Sequence, residues 1–328
     1  MARTAVVLLQ LGGPDTLDAV EPFLYNLFCD PDIIDVPGAF FFRKPLARLI
    51  SRKRSPAVRE LYKSIGGRSP ILPQTQMQAD ALKKKLASQG VNIPVHIAMR
   101  YWHPMTDEVV RDLVQSDVDR AILVPLYPHF SSATTGSSVN EWKRALYRLG
   151  TASLRYDLVR DYHDHPLFID AWVARIHETL GRFSPEERAG VTIVFSAHGT
   201  PMKLVRQGDP YSHQIRKTVE LVVERGRFGL PHTLCFQSKV GPQRWLEPSL
   251  IDAIVRLGTE GVKRMVVVPI AFVTEHIETL SEINIEARHL AASSGVRQYE
   301  MTKALLSQDS YISCLAELTM QRLNGASA

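Results

Sequence analysis

The sequence contains little cysteine. Three residues, Cys29, Cys235 and Cys314, lie far apart, and no two of them form a Cys-x-x-Cys pair. Such a pair is the usual start of a zinc or iron–sulfur site. We therefore expect all three to be reduced packing residues.

Long apolar runs and a strong net charge are also missing. No run approaches the roughly 18 residues of a spanning helix, and the apolar stretch at 5–9 is too short for the core of a signal peptide. The formal charge of +5 is too mild to indicate a nucleic-acid partner. We expect a cytoplasmic protein, or one bound peripherally to the cytoplasmic face of the inner membrane.

Nucleotide-binding motifs are absent as well. The two loops rich in small residues, IGGRSP at 65–70 and TTGSS at 134–138, match neither Gly-x-Gly-x-x-Gly nor the Walker pattern. We therefore predict no nucleotide site.

Short apolar runs do occur, and they alternate with longer helix-like stretches. This alternation is typical of a parallel sheet with helices on both faces, an α/β fold. The predicted strands are 5–9, 95–99, 121–126, 191–195, 233–236 and 265–270.

These strands form two sets whose endings resemble each other in the same order. The similar pairs are 7–14 with 193–201, 95–104 with 232–242, and 120–126 with 264–270. We infer an internal duplication of a doubly wound half. In such sheets the carboxyl ends of the strands carry the ligand site, so we expect the motifs at those ends to meet at one inter-domain cleft.

A histidine ends one of the predicted strands. His198 lies in SAHGTP at 196–201, with GDPY at 208–211 and a helix-like run from Gln214 behind it. Imidazole can accept a proton or ligate iron. A lone His-Gly pair also fits a turn cap, but the nearby GDPY turn makes the motif more specific.

A row of carboxylates follows the last predicted strand. In a helix from about Thr274, the residues Glu278, Glu282 and Glu286 recur every four positions and form an acidic stripe. The stripe can relay protons or carry a cation, although a solvated face explains Glu286 equally well. His276 is two residues from Glu278 and would point away from it on a regular helix, although the two can still converge at an irregular entry to the helix. We therefore treat His276 as secondary.

Two aromatic and basic segments complete the pattern. Arg100, Tyr101 and Trp102 end a strand and suit a flat, carboxylated ligand, whereas Trp102 alone also suits packing between strand and helix. The densest basic stretch, 43–54, follows three phenylalanines. A membrane-surface segment and a core-facing aromatic run beside a solvated basic helix fit it equally.

These motifs together resemble the ferrochelatase family, from residue 9 to about residue 305. The segments that carry the resemblance are LQLGGP at 9–14, RY at 100–101, TTGSS at 134–138, SAHGTP at 196–201, GDPY at 208–211, QSKVGP at 237–242, PIAF at 269–272 and HIETL at 276–280.

The resemblance implies an α/β fold of two Rossmann-like, chelatase-like domains with parallel sheets. Their expected ranges are 1–162 together with a C-terminal helix at 306–328, and 163–305. It also implies an enzyme, a lyase that inserts Fe²⁺ into protoporphyrin IX, gives haem and releases two protons.

The resemblance also assigns roles to individual residues. His198 and Glu278 match the metal-binding and proton-handling pair, and His276 belongs to the same catalytic motif. The positions that match the porphyrin pocket and its propionate edge are Leu11, Arg54, Tyr62, Ser69, Arg100, Tyr101, Ser238 and Trp245.

Two departures from the family pattern have consequences. The four C-terminal cysteines of some members are reduced here to Cys314, so we expect no iron–sulfur cluster and no tightly bound cofactor, with Fe²⁺ acting as substrate. A lysine near the propionates in some members is Ala57 here. The segment 36–54 resembles the lip that meets the membrane in membrane-associated members.

Two other functions fit the residues. One is a chelatase that inserts cobalt into a more carboxylated tetrapyrrole, and the other is a haem or porphyrin carrier. The acidic stripe favours an enzyme, since a carrier has no use for a metal path.

Overall fold

A computed structural model describes residues 3–33, 39–238 and 243–325. Two sequence predictions fall partly outside these ranges. Residues 36–38 of the expected membrane lip and residues 239–242 of the QSKVGP motif are not described.

The chain divides into two compact units. Unit 1 comprises Met1–Asp161 and Ile312–Ala328, and unit 2 comprises Tyr162–Tyr311. The expected boundary lay one residue later, and the expected C-terminal helix at 306–328 is the helix Asp309–Leu323. Each unit holds one parallel sheet of four strands.

All six predicted strands are present, and two more were not predicted. The strands are β1 (Thr4–Gln10), β2 (Val95–Met99), β3 (Arg120–Pro125), β4 (Arg155–Leu158), β5 (Val191–His198), β6 (His232–Gln237), β7 (Arg264–Pro269) and β8 (Gln298–Met301). The two additions, β4 and β8, each pair with a single neighbour at the edge of a sheet.

Helices connect the strands. The α-helices are α1 (Val20–Phe28), α2 (Ala39–Ser64), α3 (Ile71–Ser88), α4 (Thr106–Gln115), α5 (Ser137–Arg148), α6 (Pro166–Leu180), α7 (Pro185–Arg188), α8 (Met202–Arg206), α9 (Tyr211–Gly226), α10 (Leu250–Thr259), α11 (Ala287–Ser293) and α12 (Asp309–Leu323). Two π-helices, π1 (Ser132–Gly136) and π2 (Glu278–Glu286), precede α5 and α11. In the described ranges no helix has the length and apolar content needed to cross a bilayer.

The central strands are buried on both faces, which explains why they appear in the sequence as unbroken apolar runs. In unit 1, Val7 and Leu9 of β1 pack with Val110 of α4 and Trp142 of α5. In unit 2, β7 packs in the same way with α10 and α11. Each fully buried Val or Leu contributes about 1.5–3 kcal/mol, so burial fixes these strands firmly.

The two units share one topology, as the paired strand endings in the sequence led us to expect. The strand orders are β2-β1-β3-β4 and β6-β5-β7-β8. Arg120 and Arg264 begin equivalent strands 144 residues apart. The same spacing relates Thr135 to Thr279 and Ser137 to Ser281, all of them buried.

The duplication also shows which positions of unit 1 correspond to the candidate residues of unit 2. The strand registers place Leu11 of unit 1 at the position of His198, and Arg100 at that of Gln237. The spacing of 144 residues places Thr134 at the position of Glu278. Unit 2 alone therefore carries an imidazole and a carboxylate at these positions.

Candidate active site

His198 is the last residue of β5, and its side chain is partly exposed. Its Nδ1 lies 2.6 Å from the carbonyl oxygen of Gly199. A carbonyl only accepts hydrogen bonds, so Nδ1 carries the proton and donates it there. In the neutral imidazole, Nε2 therefore keeps its lone pair for a proton or a metal.

Gly199 allows this strand end to pack closely. A Cβ at this position would lie 2.9 Å from the carbonyl oxygen of Gln237 and 3.3 Å from the ring of Trp245. The backbone N–H of Gly199 also donates to the same carbonyl, at 2.8 Å. The glycine therefore serves close approach between β5 and β6, in addition to leaving His198 unshielded.

Glu278 joins two histidines. Its Oε1 lies 3.7 Å from Nε2 of His198, and its Oε2 lies 3.6 Å from Nε2 of His276. The three side chains are 21%, 37% and 9% exposed in the order Glu278, His198, His276. A row formed by an imidazole, a carboxylate and a second imidazole can hold a cation or exchange a proton.

The start of the helix differs from the predicted one, and His276 lies at its irregular entry. The predicted helix from about Thr274 instead begins at Glu278 and is a π-helix to Glu286. His276 precedes it, where its backbone N–H donates to Oγ1 of Thr279 at 3.0 Å. Because His276 is outside the helix, its ring turns toward Glu278 rather than away from it. π-helical turns are rare and occur frequently at functional sites.

The charges around Glu278 determine its protonation. Burial raises the pKa of this carboxyl, but the charges that His198 and His276 carry when protonated, together with the side chain of Gln237, outweigh burial and lower the pKa to about 2. Glu278 is therefore an anion at neutral pH. The burial of the neighbouring Tyr211 and, second, the charge of Glu278 raise the pKa of the Tyr211 hydroxyl, which stays a neutral phenol.

The next carboxylate of the row has the opposite shift. Burial and the charge of Glu278 raise the pKa of Glu282, and Oγ of Ser238 donates to its Oε2 at 2.6 Å. Ser238 adopts a left-handed φ of 65° directly after β6. Glu286 is exposed and accepts a hydrogen bond from Ser281 at 3.0 Å. The row therefore runs from a half-buried carboxylate, Glu278, to an exposed one, Glu286.

Trp245 also lies at this strand end. Its ring centroid is 6.4 Å from that of His198, and its backbone forms an antiparallel bridge with Pro201. The partly exposed indole gives the site a flat apolar wall beside the imidazole.

In unit 1, the predicted residues Arg100 and Tyr101 lie in a buried polar network. The guanidinium of Arg100 is 2.9 Å from Oδ1 of Asp30, and the hydroxyl of Tyr101 donates to Oδ2 of Asp30 at 2.6 Å. Ser137 donates to the same carboxylate. Burial raises the pKa of Asp30, but Arg100, Ser137 and Tyr101 together lower it. Leu11, half-buried, accepts the backbone N–H of Tyr101 at 3.0 Å.

The three positions matched to the propionate edge differ in exposure. Arg54 is exposed, and its guanidinium lies 5.6 Å from the ring centroid of Phe28. Tyr62 and Ser69 are buried, and the backbone N–H of Ser69 donates to the carbonyl of Pro14 at 2.8 Å. Of these three, Arg54 is the one that presents its side chain to solvent.

Sequence reasoning missed several contributors to the two clusters. Ser196 and Gln237 lie in the motifs SAHGTP and QSKVGP but had no predicted role, and Asp30 had none either. Tyr211 was known only as the end of a turn, yet α9 begins there and not at Gln214, with the Tyr211 N–H capped by Asp209 at 3.0 Å. A polar residue inside an otherwise apolar strand, such as Ser196, is the signal that was available.

Comparison with protein families places the whole described chain in one family. The family model for ferrochelatase matches residues 3–323. The ferrochelatase of Geobacter metallireducens is 46% identical over 316 residues, which are 96% of this chain and 97% of the relative. The chloroplastic ferrochelatase-2 of Cucumis sativus is 42% identical over 335 residues, covering 99% of this chain and 64% of that one.

Solved structures agree at the level of the fold. The sirohydrochlorin chelatase SirB of Bacillus subtilis subspecies spizizenii, in complex with cobalt, has a TM-score of 0.56 at 11% identity and covers 98% of this chain and 96% of its own. SirB from Bacillus subtilis with Fe³⁺ has a TM-score of 0.58 at 12% identity, covering 97% and 95%. The chelatase-like α/β fold expected from the sequence is thus confirmed, and the chain belongs to the ferrochelatase family of enzymes.

Proposed function

We propose that the chain inserts ferrous iron into protoporphyrin IX, forming haem and releasing two protons. The observation that carries this proposal is the 3.7 Å approach of Nε2 of His198 to Oε1 of Glu278, in a chain of the ferrochelatase family. Iron and porphyrin are both substrates.

The charge states favour a division of labour within the pair. Each porphyrin must lose two pyrrole N–H protons for one Fe²⁺ that enters. Nε2 of His198 has a lone pair whenever the imidazole is neutral, and that lone pair can accept a proton. Glu278, with a pKa of about 2, is too weak a base for that task but suits a cation. We therefore assign proton acceptance to His198, and iron presentation and stabilisation of the imidazolium to Glu278.

The remaining members of the row have supporting tasks in this proposal. His276, on the other oxygen of Glu278, shares the proton load. Glu282 has a raised pKa and a hydroxyl partner in Ser238, so it can hold or release a proton closer to neutrality than Glu278. Protons removed from the ring then have a route along π2.

The porphyrin contacts remain part of the proposal. Trp245 and Leu11 offer partly exposed apolar surface, and Arg54 offers an exposed cation for a propionate. The hydroxyl of Tyr101 already donates to Asp30, so its contribution is to hold Arg100 and the strand end in place. We propose no iron–sulfur cluster, because Cys314 is the one cysteine of α12 and is buried.

The test of the proposed reaction is anaerobic insertion of Fe²⁺ measured separately with protoporphyrin and coproporphyrin. We expect turnover with both protons released per iron inserted, and a higher kcat/KM for protoporphyrin, because the exposed apolar side chains of α2 suit a substrate that partitions into membranes. The proposal would be contradicted if iron entered neither porphyrin, or if the protein clearly preferred cobalt to iron.

We also propose that α2 contacts the membrane surface. Phe42 and Leu49 are 71% and 66% exposed, beside the cations Lys44, Arg48 and Lys53. Such a helix lies at a bilayer surface with its apolar side chains inserted. We expect the protein to float with vesicles of anionic lipid and Leu49→Asp to float about tenfold less, while Ile251→Asp, another exposed apolar position, floats as the unmodified protein does. Equal flotation of both variants would contradict the membrane contact.

A further inference from the structure

A buried hydroxyl in β5 determines how the amide of Gln237 is oriented. Ser196 is fully buried, and its Oγ donates to Oε1 of Gln237 at 2.6 Å. An amide carries its acceptor and its donors on opposite sides, so fixing Oε1 also fixes Nε2. Ser196 thus selects one of the two possible orientations of this amide.

The amide nitrogen of Gln237 is free to donate to the charged carboxylate of Glu278. Nε2 of Gln237 and Oε2 of Glu278 are both buried, and neither has a hydrogen-bond partner within 3.5 Å in the described part of the chain. Glu278 lies beside His198, with its Oε1 3.7 Å from Nε2 of the imidazole. Gln237 also pairs with His198 in the register of β5 and β6. Its amide is therefore beside both members of the candidate pair.

Unit 1 has a different polar network at the position equivalent to Gln237. Arg100, at the position of Gln237, donates from Nε to Oγ of Ser137 at 2.8 Å and pairs with the buried Asp30 at 2.9 Å. In unit 1 a buried carboxylate receives the guanidinium, and in unit 2 the hydroxyl of Ser196 holds the amide oxygen at the equivalent position. The guanidinium is a permanent cation and neutralises Asp30, whereas a neutral amide can orient Glu278 and leave its charge for iron or an imidazolium.

We infer that Gln237 is a positioning residue for metal insertion, holding the Glu278 carboxylate toward His198, and that Ser196 acts on Glu278 only through Gln237. This inference rests on the proposed function, since it concerns the same pair. It predicts dependence between two residues that are 41 positions apart in the sequence.

The test is a double-mutant cycle of Ser196→Ala, Gln237→Met and the combined variant, with kcat and both KM values measured for Fe²⁺ and protoporphyrin. Loss of a partner that orients a metal ligand typically lowers activity about 10- to 100-fold. We expect Gln237→Met to fall in that range and Ser196→Ala to lose about tenfold, with the porphyrin KM within about twofold of the unmodified protein. In the Gln237→Met background, Ser196→Ala should change kcat less than twofold.

Independent losses that multiply in the combined variant would overturn the inference, as would losses confined to the porphyrin KM. Thr192→Ala is the matched control, because it removes another buried hydroxyl from β5 at the opposite end of the strand, and we expect it to keep kcat. If thermal unfolding shows that Gln237→Met does not fold, Gln237→Glu replaces it. The glutamate keeps an acceptor for Ser196 and places a second acceptor against Glu278, so we expect a larger loss of kcat than with Ser196→Ala. An unmodified protein that inserts no iron would refute the proposed function instead.

Discussion

Glu278→Gln should lower kcat for iron insertion by about 10³-fold while porphyrin binding persists. The amide keeps the shape of the side chain but removes the anion between His198 and His276, which lie 3.7 and 3.6 Å from it. Without that charge the site neither attracts Fe²⁺ nor stabilises an imidazolium. Anaerobic stopped-flow insertion gives kcat, and quenching of porphyrin fluorescence gives binding.

The control for this variant is Glu220→Gln. Glu220 lies on α9 in an exposed ion pair with Lys217 at 3.2 Å, and such pairs contribute little. We expect it to retain activity and thermal stability. Activity of Glu278→Gln within tenfold of the unmodified protein would remove Glu278 from the reaction.

His198→Ala should also abolish most of the insertion activity, by about 10²- to 10⁴-fold, which is the usual contribution of a positioned general base. Nδ1 of His198 donates to the Gly199 carbonyl, which leaves the lone pair of Nε2 available to accept a proton. We expect the porphyrin still to bind, since the proposed porphyrin contacts include Trp245 and Arg54 as well. Added imidazole should restore part of the rate by filling the vacated space.

His289→Ala is the matched control, because His289 is an exposed histidine on α11 of the same unit. It should leave kcat and porphyrin binding unchanged. Near-normal insertion by His198→Ala, with porphyrin bound, would show that another group removes the pyrrole protons.

The sequence predicted the strands well where burial on both faces leaves a continuous apolar run, as in Val266 and Val267 of β7. It missed β4 and β8 because these four-residue strands carry polar residues, such as Asp157 and Glu300. Alternation with charged residues is a much weaker signal than a run of valines.

The start of π2 was predicted too early for a physical reason. The residues before Glu278 have a helical composition, but Glu275 accepts a hydrogen bond from the backbone N–H of Ala304 at 2.7 Å and another from Thr279 at 2.6 Å. These hydrogen bonds hold the chain in an irregular conformation before Glu278, which the helix propensities of the residues do not predict. The contact between His276 and Glu278 depends on that entry.

The contacts of Asp30 and Ser196 could not be predicted from the sequence for a related reason. Asp30 meets Tyr101 across 71 positions, and Ser196 meets Gln237 across 41. Sequence periodicity reports neighbours within a few residues, whereas these partners are brought together by strand order. The motif residues His198 and Glu278 were recognisable because the family resemblance, rather than spacing, connected them.

The doubling of the fold has a consequence for stoichiometry. Unit 1 repeats the strand order of unit 2 but carries Leu11 and Thr134 where its counterpart carries His198 and Glu278. An aliphatic side chain and a hydroxyl offer ferrous iron neither an imidazole nor an anion. In the proposed reaction, one polypeptide therefore presents a single ion per catalytic cycle, because only one of these two sets of equivalent positions carries the imidazole and the carboxylate.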